Sequence, residues 1–196
     1  MWNYKTTGIP DEYFERAEKV PITKEEVRTI QLSKARLKPG QTVYDIGCGS
    51  GSISVEAAFQ IESNGKVLAI DYDENAVELT KKNLKKFNLS NVSVILGNAK
   101  EKISDLESAD VIFIGGTGGD TAEIVKLSEN KLKSSGRIVI GIILIETLYS
   151  VLQILDKLKF DSIDITQVTI SKSRKTTTGT MMLARNPVTI ISATKV

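Results

Sequence analysis

Three glycines at alternate positions, Gly47, Gly49 and Gly51, follow an apolar run that carries Asp45 near its end. Glycine lets a backbone approach a ligand closely and adopt positive φ angles without steric penalty, and a helix start beyond it presents unpaired N–H groups. The spacing is GxGxG rather than the GxGxxG of dinucleotide sites, and an acid two residues before the first glycine repels a pyrophosphate. The pattern predicts a ligand site that favours a cation; the alternative is a tight turn without a ligand.

Two further positions extend this candidate site. Asp71 ends the next apolar run, roughly 20 residues beyond the glycines, where an acid can accept hydrogen bonds from a ribose hydroxyl pair. Asn98 and Ala99 follow the third apolar run, where an adenine ring would contact a small side chain and a backbone N–H. For Ala99 the alternative is an ordinary loop residue. Together these residues resemble the S-adenosyl-L-methionine site of class I methyltransferases, which implies the cofactor's ammonium group near Asp45, its methionine part on the glycines and its ribose on Asp71.

A second glycine-rich segment follows the fourth apolar run and consists of Gly115, Gly116, Thr117, Gly118 and Gly119. Open α/β sheets bind ligands at the carboxyl ends of their strands, so this segment is predicted at the same edge as the first. Its glycines provide a floor without side chains for a flat, bulky substrate; a flexible loop is the alternative. Methyltransferases that act on amino groups of bases often carry Asn/Asp-Pro-Pro-aromatic here, and its absence argues against an exocyclic amine as acceptor.

Two groups of polar side chains are further candidates for substrate binding. Glu146 and Thr147 follow the fifth apolar run and are predicted at the functional edge, although Glu146 equally suits the first turn of a helix. Lys172, Arg174 and Lys175 lie between the last two predicted strands, where they either form a solvated loop or bind an anionic substrate.

The elements that position these residues are predicted from hydrophobic periodicity and turn signals. A capping-box pattern, Thr23 with Glu26, predicts a helix from there to about Leu37. Strands then alternate with helices: strands 42–46, 66–70, 92–96, 110–114 and 137–143, and helices from 52, 74–87, 120–132 and 146–158. Two later β-rich runs, 161–171 and 180–194, predict an antiparallel hairpin, with Pro187 at a bulge or an unpaired edge position.

This order of elements predicts an α/β fold. We expect the Rossmann-like class I methyltransferase architecture: a mostly parallel seven-stranded sheet with a C-terminal antiparallel hairpin and helices on both faces. A single methyltransferase domain is expected over residues 1–196, in which 1–37 form an N-terminal extension and capping helix and 38–196 form the core.

Composition narrows the class of protein. The 196 residues are 41% hydrophobic and 26% charged, as in ordinary soluble domains, and the longest apolar stretch is far shorter than a membrane span. The N-terminus lacks a signal-peptide pattern, so we expect a cytoplasmic protein that does not bind membranes. With no histidine and a single cysteine, neither a metal site nor an internal disulfide is expected. Residues 166–196 contain basic residues but no acid, which suits an anionic partner.

Six segments resemble the decarboxylating cobalt-precorrin-6B C15-methyltransferases of cobalamin biosynthesis, and they extend over nearly the whole chain. They are IPDEYF (9–14), PITKEEVR (21–28), DIGCGSG (45–51), FIGGTGG (113–119), LIET (144–147) and RNPVTII (185–191). The resemblance implies cofactor contacts at Thr23, Gly47, Cys48, Gly49, Ser50, Gly51, Asp71 and Ala99. Asn98 departs from the aspartate that the family commonly carries in a GDA triplet, but it can still accept a hydrogen bond.

The reaction implied by this resemblance is methyl transfer from S-adenosylmethionine to C15 of a cobalt-corrinoid substrate, coupled to loss of CO2 from the acetate side chain on ring C. Lys172, Arg174 and Lys175 would hold peripheral carboxylates of the ring. The resemblance also implies a homo-oligomer, a tetramer in the family, and allows a separate C5-methyltransferase as partner. Two other functions stay open: a tRNA or rRNA base methyltransferase, and a cofactor-binding subunit without activity of its own. The basic tail lacks interleaved aromatic residues, which argues against nucleic acid.

Overall fold

The computed structural model describes residues 2–158 and 160–196. The strands are β1 (Thr42–Ile46), β2 (Lys66–Asp71), β3 (Val92–Leu96), β4 (Ala109–Ile114), β5 (Leu132–Ile142), β6 (Phe160–Val168), β7 (Ser171–Lys175), β8 (Thr180–Ala184) and β9 (Val188–Lys195). The helices are α1 (Glu25–Ala35), α2 (Ser52–Ile61), α3 (Glu74–Lys86), α4 (Ala99–Lys102), α5 (Thr121–Lys131) and α6 (Ile145–Leu155). Within the described ranges, no helix is both long and apolar enough to cross a membrane.

Seven strands form one sheet in the order β3-β2-β1-β4-β5-β9-β6. Strands β1 to β5 are parallel, and β9 runs antiparallel to both of its neighbours, β5 and β6. The predicted fold, a mostly parallel seven-stranded sheet with an antiparallel C-terminal part, is confirmed. Because β2 and β3 lie on one side of β1 and β4 lies on the other, the topological switch point falls between β1 and β4.

Alternate side chains of the central strands pack against helices on opposite faces of the sheet. On one face, Val43 of β1 packs in a core with α1 and α2, including Ala57. On the other face, Tyr44 belongs to a core that includes Val125 of α5 and Val151 of α6. Burial on both faces explains why the parallel strands are continuous apolar runs in the sequence rather than alternating patterns.

The start of α1 differs from the prediction. The helix begins at Glu25 after Lys24, and no side chain at that preceding position caps it, so the capping box predicted for Thr23 and Glu26 is wrong. Instead, Asp11 Oδ1 accepts a hydrogen bond from the Glu25 N–H at 3.1 Å, and Glu25 Oε2 accepts one from the Asp11 N–H at 3.1 Å. The cap is therefore supplied from outside the helix, and it ties the N-terminal segment to α1.

The C-terminal strands also differ in detail from the prediction. Each predicted β-rich run is divided, since β6 and β9 belong to the main sheet while β7 and β8 form a separate two-stranded ribbon. Pro187 lies between β8 and β9, where its missing N–H costs no ladder bond. Strand β5 begins at Leu132, five residues before the predicted start at 137, and its pairing with β4 has a register shift between Ala109 and Val111.

Candidate active site

Two glycine-rich loops meet at the switch point between β1 and β4. The Gly115 N–H donates to the Ile46 carbonyl at 2.8 Å, which extends the pairing of the two strands into the loops. A Cβ added to Gly47 would lie 2.3 Å from the Gly116 carbonyl oxygen, so the contact requires glycine, and the φ of +71° favours glycine independently. The two loops therefore touch through backbone atoms alone.

The first loop is held through its own N–H groups. All the N–H groups of residues 47–51 have partners: the Ile70 carbonyl accepts two, at 2.8 and 3.2 Å, and single bonds reach Asp71 Oδ2 at 2.9 Å, the Pro21 carbonyl at 3.1 Å and the Cys48 carbonyl at 2.8 Å. A phosphate site at a loop of this kind needs free N–H donors. The loop therefore has no free N–H group with which to hold a phosphate.

A cavity of about 260 Å³, here named the first compartment, opens beside this contact at the carboxyl ends of β1 and β2. The predicted site residues that line it are Gly47, Asp71, Asn98, Ala99, Gly116, Thr117 and Gly118. The carboxylate of Asp71 accepts the N–H groups of Gly49 at 2.9 Å and Asp73 at 3.0 Å. Ala99 is the first residue of α4, so its N–H has no partner within the helix. The compartment thus offers a fixed carboxylate and a backbone donor.

A cavity of about 570 Å³, here named the second compartment, also adjoins the glycine contact. Its lining comes from separate parts of the chain: residues 21–24, Val27, Gln31, residues 47–49, Gly115, Gly116, Gly141, Ile143, residues 184–186 and Val188. Of the predicted cofactor residues, Thr23, Gly47, Cys48 and Gly49 line it. The second compartment is larger than the first, and its lining is assembled from more distant parts of the sequence.

Gly47 and Gly116 line both compartments. A Cβ added to Gly116 would meet no atom within 4 Å, so open space lies where a side chain would project. The absence of a side chain at this position lets a ligand in one compartment come close to a ligand in the other. The geometry suits a transfer reaction between two bound molecules.

A buried ion pair holds the N-terminal segment beside the second compartment. Arg28 is fully buried and donates to Glu56 Oε1 at 2.6 Å, and it also donates to the carbonyls of Ile9 and Thr23. Glu56 in turn accepts the N–H groups of Gly8 at 2.7 Å and Ile9 at 3.0 Å. Because each charge has a charged partner and further hydrogen bonds, its burial is offset. Thr23 reaches the second compartment through this anchorage.

Asp45 lines neither compartment. Its side chain is 3% exposed, and its carboxylate accepts a hydrogen bond from the Ser54 hydroxyl. Burial raises the pKa of Asp45 to about 6; the Ser54 hydrogen bonds oppose this shift, and the charge of Asp71 adds to it. Asp45 is therefore placed to influence a ligand through its charge rather than through a direct contact.

Cys48 and Ser50 are also buried. Burial raises the pKa of the Cys48 thiol, so the thiol stays protonated at neutral pH, and its Sγ lies 3.5 Å from Thr80 Oγ1. The Ser50 hydroxyl is buried without a hydrogen-bond partner among residues 2–158 and 160–196. Within the described part of the chain, no three or more His, Cys, Asp or Glu side chains lie together in a way that could hold a metal ion.

The remaining predicted substrate residues line neither compartment: Gly119, Glu146, Thr147, Lys172, Arg174 and Lys175. Lys172 instead pairs with Glu25, and with Glu26 at 3.1 Å. Glu146 lies exposed in the first turn of α6, the other position considered for it. In the ribbon of β7 and β8, Lys172 therefore faces acids of α1, while Arg174 and Lys175 lie outside the second compartment.

Sequence reasoning missed several residues of the second compartment: Gln31, Gly141, Arg185 and Asn186. Arg185 and Asn186 open the RNPV segment, and Arg185 belongs to the basic stretch 166–196, but neither pattern indicates that these residues lie beside the glycine loops. Gln31 and Gly141 carried no local signal, because their meeting depends on how α1 packs against β5.

The fold defines a class: the strand order is that of class I methyltransferases, and two cavities meet at its switch point. Comparison with known proteins narrows this class. A family model described as "Precorrin methyltransferase domain" matches residues 12–195. The chain belongs to this family of methyltransferases.

Individual relatives agree with the family match. A "probable cobalt-precorrin-6B C(15)-methyltransferase (decarboxylating)" of Saccharolobus solfataricus is 47% identical over 99% of this chain and 98% of its own length. A protein of the same name from Sulfurisphaera tokodaii is 49% identical over 96% of this chain and 97% of its own. Among solved structures, the precorrin-6y C5,15-methyltransferase of Geobacter metallireducens superposes with a TM-score of 0.88 at 36% identity, covering 97% of this chain and 98% of that one.

A tRNA (m1A58) methyltransferase of Aquifex aeolicus also superposes, with a TM-score of 0.71. The superposition covers 93% of this chain and 72% of the tRNA methyltransferase chain. At 16% identity, the likeness extends to the fold alone. It therefore adds nothing in favour of an RNA substrate.

Proposed function

We propose that this protein transfers a methyl group from S-adenosylmethionine to C15 of cobalt-precorrin-6B and removes CO2 from the acetate side chain on ring C, giving cobalt-precorrin-7. The observation that carries the proposal is the pair of compartments that meet at Gly47 and Gly116, without a side chain between them. The names of the relatives support the choice of substrate.

The first compartment fits the nucleoside part of S-adenosylmethionine. Each carboxylate oxygen of Asp71 accepts one backbone N–H and keeps a lone pair for a ribose hydroxyl. Ile70 and Ile124 supply apolar wall for an adenine ring, and the N–H of Ala99 is available to a ring nitrogen. When bound, S-adenosylmethionine supplies an activated methyl group on a cationic sulfur.

The glycine loop suits the charge of this cofactor. Because its N–H groups are already used within the protein, the loop does not select for a phosphate, and a cationic ligand meets no repulsion from free donors. Ionised Asp45, although it lines neither compartment, adds an attractive negative potential from within the buried interior. Thr23, Cys48 and Gly49 line the second compartment beside Gly47, which also lines the first. Ser50 and Gly51 hold the turn that leads into α2.

The second compartment would hold the corrinoid ring, with C15 directed at the glycine contact. Gly115 and Gly116 let a flat ring approach the first compartment without a side chain in between. Alignment of an activated donor with a nucleophilic carbon supplies much of the catalysis, so the reaction requires no histidine. The electron pair left by the departing CO2 can pass into the conjugated ring of the substrate. The protonated thiol of Cys48 takes no part as a nucleophile.

The decisive experiment is mass spectrometry of cobalt-precorrin-6B after incubation with the purified protein and S-adenosylmethionine. We expect a product that has gained one methyl group and lost CO2, with no product when the cofactor is omitted. Binding of S-adenosylmethionine without any change in intact substrate would contradict the proposal. A methylated tRNA or rRNA under the same conditions would favour the rival function.

Assembly is part of the proposal. The exposed apolar residues at the start of α6 and on β8 would be covered in a homo-oligomer, such as the predicted tetramer: Ile143, Leu144, Ile145, Tyr149 and Met182. Light scattering coupled to size-exclusion chromatography measures the mass directly, and a monomer at micromolar concentration would contradict the expectation. Cytoplasmic location and a separate C5-methyltransferase partner stay predictions.

A further inference from the structure

Charge is distributed unevenly along the wall of the second compartment. Among the residues that line it, Lys24 and Arg185 are charged, and their side chains are 37% and 30% exposed. The remaining lining residues are apolar, small or neutral, and the buried ones among them include Ile22, Val27 and Gln31. The compartment therefore combines a cationic, partly solvated rim with an uncharged interior.

Each rim cation is held by an acid and keeps further donors. Glu26 Oε2 accepts one hydrogen bond from Arg185 at 2.8 Å, out of the five N–H donors of a guanidinium. The backbone of Arg185 is fixed as well, because its N–H donates to the Ile170 carbonyl at 2.8 Å. Lys24 lies 3.6 Å from Asp11 Oδ2, a looser pair. Both cations can accordingly bind a second carboxylate without leaving the first.

Gln31 is a polar side chain of the uncharged interior, and it lies in close contact with the sheet. Gln31 is 6% exposed, and its Nε2 lies 2.3 Å from where a Cβ on Gly141 would stand. Only glycine at 141 leaves room for this carboxamide, since any Cβ there would displace it. The amide offers a neutral donor and acceptor inside the cavity, but no charge.

This inference rests on the proposed function. We propose that Arg185 and Lys24 bind carboxylates that the corrinoid keeps, while the acetate group that loses CO2 enters the uncharged interior beside Val27 and Gln31. A cation bound to the reacting carboxylate would stabilise its charge and oppose the loss of CO2, whereas an uncharged environment destabilises the carboxylate relative to the transition state. The separation of charge in the cavity thus assigns retained and departing carboxylates to different places.

The first test measures recognition of carboxylates without any reaction. Cobyrinic acid and its heptamethyl ester are titrated by visible absorbance against the full chain in the presence of S-adenosylhomocysteine. We expect wild type to prefer the acid, Arg185→Gln to lose about tenfold in affinity for the acid but not for the ester, and Lys24→Gln to lose less. Lys66→Gln, which removes a cation paired with Glu107 away from both compartments, serves as the matched control and should change nothing.

Arg185→Lys separates charge from packing, because it should keep most of the preference for the acid. Equal affinity of wild type for acid and ester, or equal losses in the Lys and Gln variants at position 185, would overturn the assignment of the rim. This outcome differs from failure of the proposed function, in which cobalt-precorrin-6B is left unchanged by wild type although the preference for the acid persists.

The second test concerns the interior. Gln31→Lys introduces a cation next to the proposed place of the departing carboxylate, and Gln31→Met is its neutral control. We expect CO2 release from cobalt-precorrin-6B to fall at least tenfold in the Lys variant relative to the Met variant, with no loss of affinity for cobyrinic acid. Equal rates of CO2 release in the two variants would overturn the assignment of the interior.

Discussion

The two compartments are built in different ways. Most of the first compartment is backbone and short loop segments at the ends of neighbouring strands, so its shape follows from strand pairing and from a few glycines. The second is assembled from α1, the end of β5 and the segment before β9, which lie far apart in the sequence. A cofactor site of the first kind can be shared across a fold class, whereas a substrate site of the second kind depends on tertiary packing and can differ between families.

The largest effect is expected when the N-terminal segment is loosened, because this segment lines the second compartment and not the first. Glu56→Gln removes the closer of the two carboxylates that pair with the buried Arg28 and leaves only Asp11 Oδ1, at 3.4 Å. We expect a loss of about 3 kcal/mol in the free energy of unfolding, measured by urea denaturation. Glu107→Gln removes an exposed pair with Lys66 and should cost less than about 1 kcal/mol. Similar small losses in both variants would show that the buried pair does not anchor the segment.

The contact between the compartments can be changed without disturbing the fold. Gly116→Ala adds a methyl group where no atom lies within 4 Å, so the melting temperature should stay near that of wild type. The same methyl group would stand between donor and acceptor, and we expect kcat for methyl transfer to fall about 100-fold. Gly179→Ala, also with open space around the added Cβ, is the control in the β7–β8 ribbon. Full activity of Gly116→Ala would mean that transfer occurs elsewhere.

The buried acid behind the first loop makes stability depend on pH. Because burial raises the pKa of Asp45 from 3.8 to about 6, the folded state binds this proton more tightly than the unfolded state. The resulting stabilisation is complete below pH 3.8 and is lost as pH rises through about 6. Relative to Asp45→Asn, wild type should therefore lose roughly 2–3 kcal/mol between pH 4 and pH 7.5, as measured by urea denaturation at each pH. A difference that does not vary with pH would contradict the raised pKa.

Asp45 also tests whether a negative charge behind the first compartment increases the affinity for the cofactor. Ionised Asp45 should favour the cationic cofactor, so affinity for S-adenosylmethionine should rise through pH 6 in wild type and much less in Asp45→Asn. Ser54→Ala removes the hydroxyl that stabilises the carboxylate and should move this rise to higher pH. Calorimetric titrations across pH 5–8 would reveal both effects.

The smallest effect is expected on the C-terminal ribbon. Joint replacement of Lys172, Arg174 and Lys175 by Ala should change affinity for cobyrinic acid by less than about twofold, since exposed pairs contribute little and none of the three lines the second compartment. A tenfold loss would instead support the substrate role predicted for them from the sequence. It would also mean that Lys24 and Arg185 are not the main cations that bind the carboxylates of the substrate.

Much of the fold was predictable because its signals are local. A few neighbouring residues are enough to recognise each of three features: the continuous apolar runs, the glycine segments after β1 and β4, and Asp71 at the end of β2. The cap of α1 was predicted wrongly because Thr23 and Glu26 satisfy a local pattern, while the structure uses Asp11 from a separate segment. Division of the C-terminal runs into four strands was also missed, since strand residues do not indicate which sheet they join.

Local patterns in the sequence are enough to predict the class of the fold, the family and the place of the first compartment, because strand periodicity and glycine spacing act through neighbouring residues. Packing between distant segments, by contrast, buries Asp45 behind the loop, brings Lys172 to acids of α1 and fits Gln31 over Gly141. Burial, pKa shifts and cavity walls arise from side chains that packing brings together, and no local pattern encodes those neighbours.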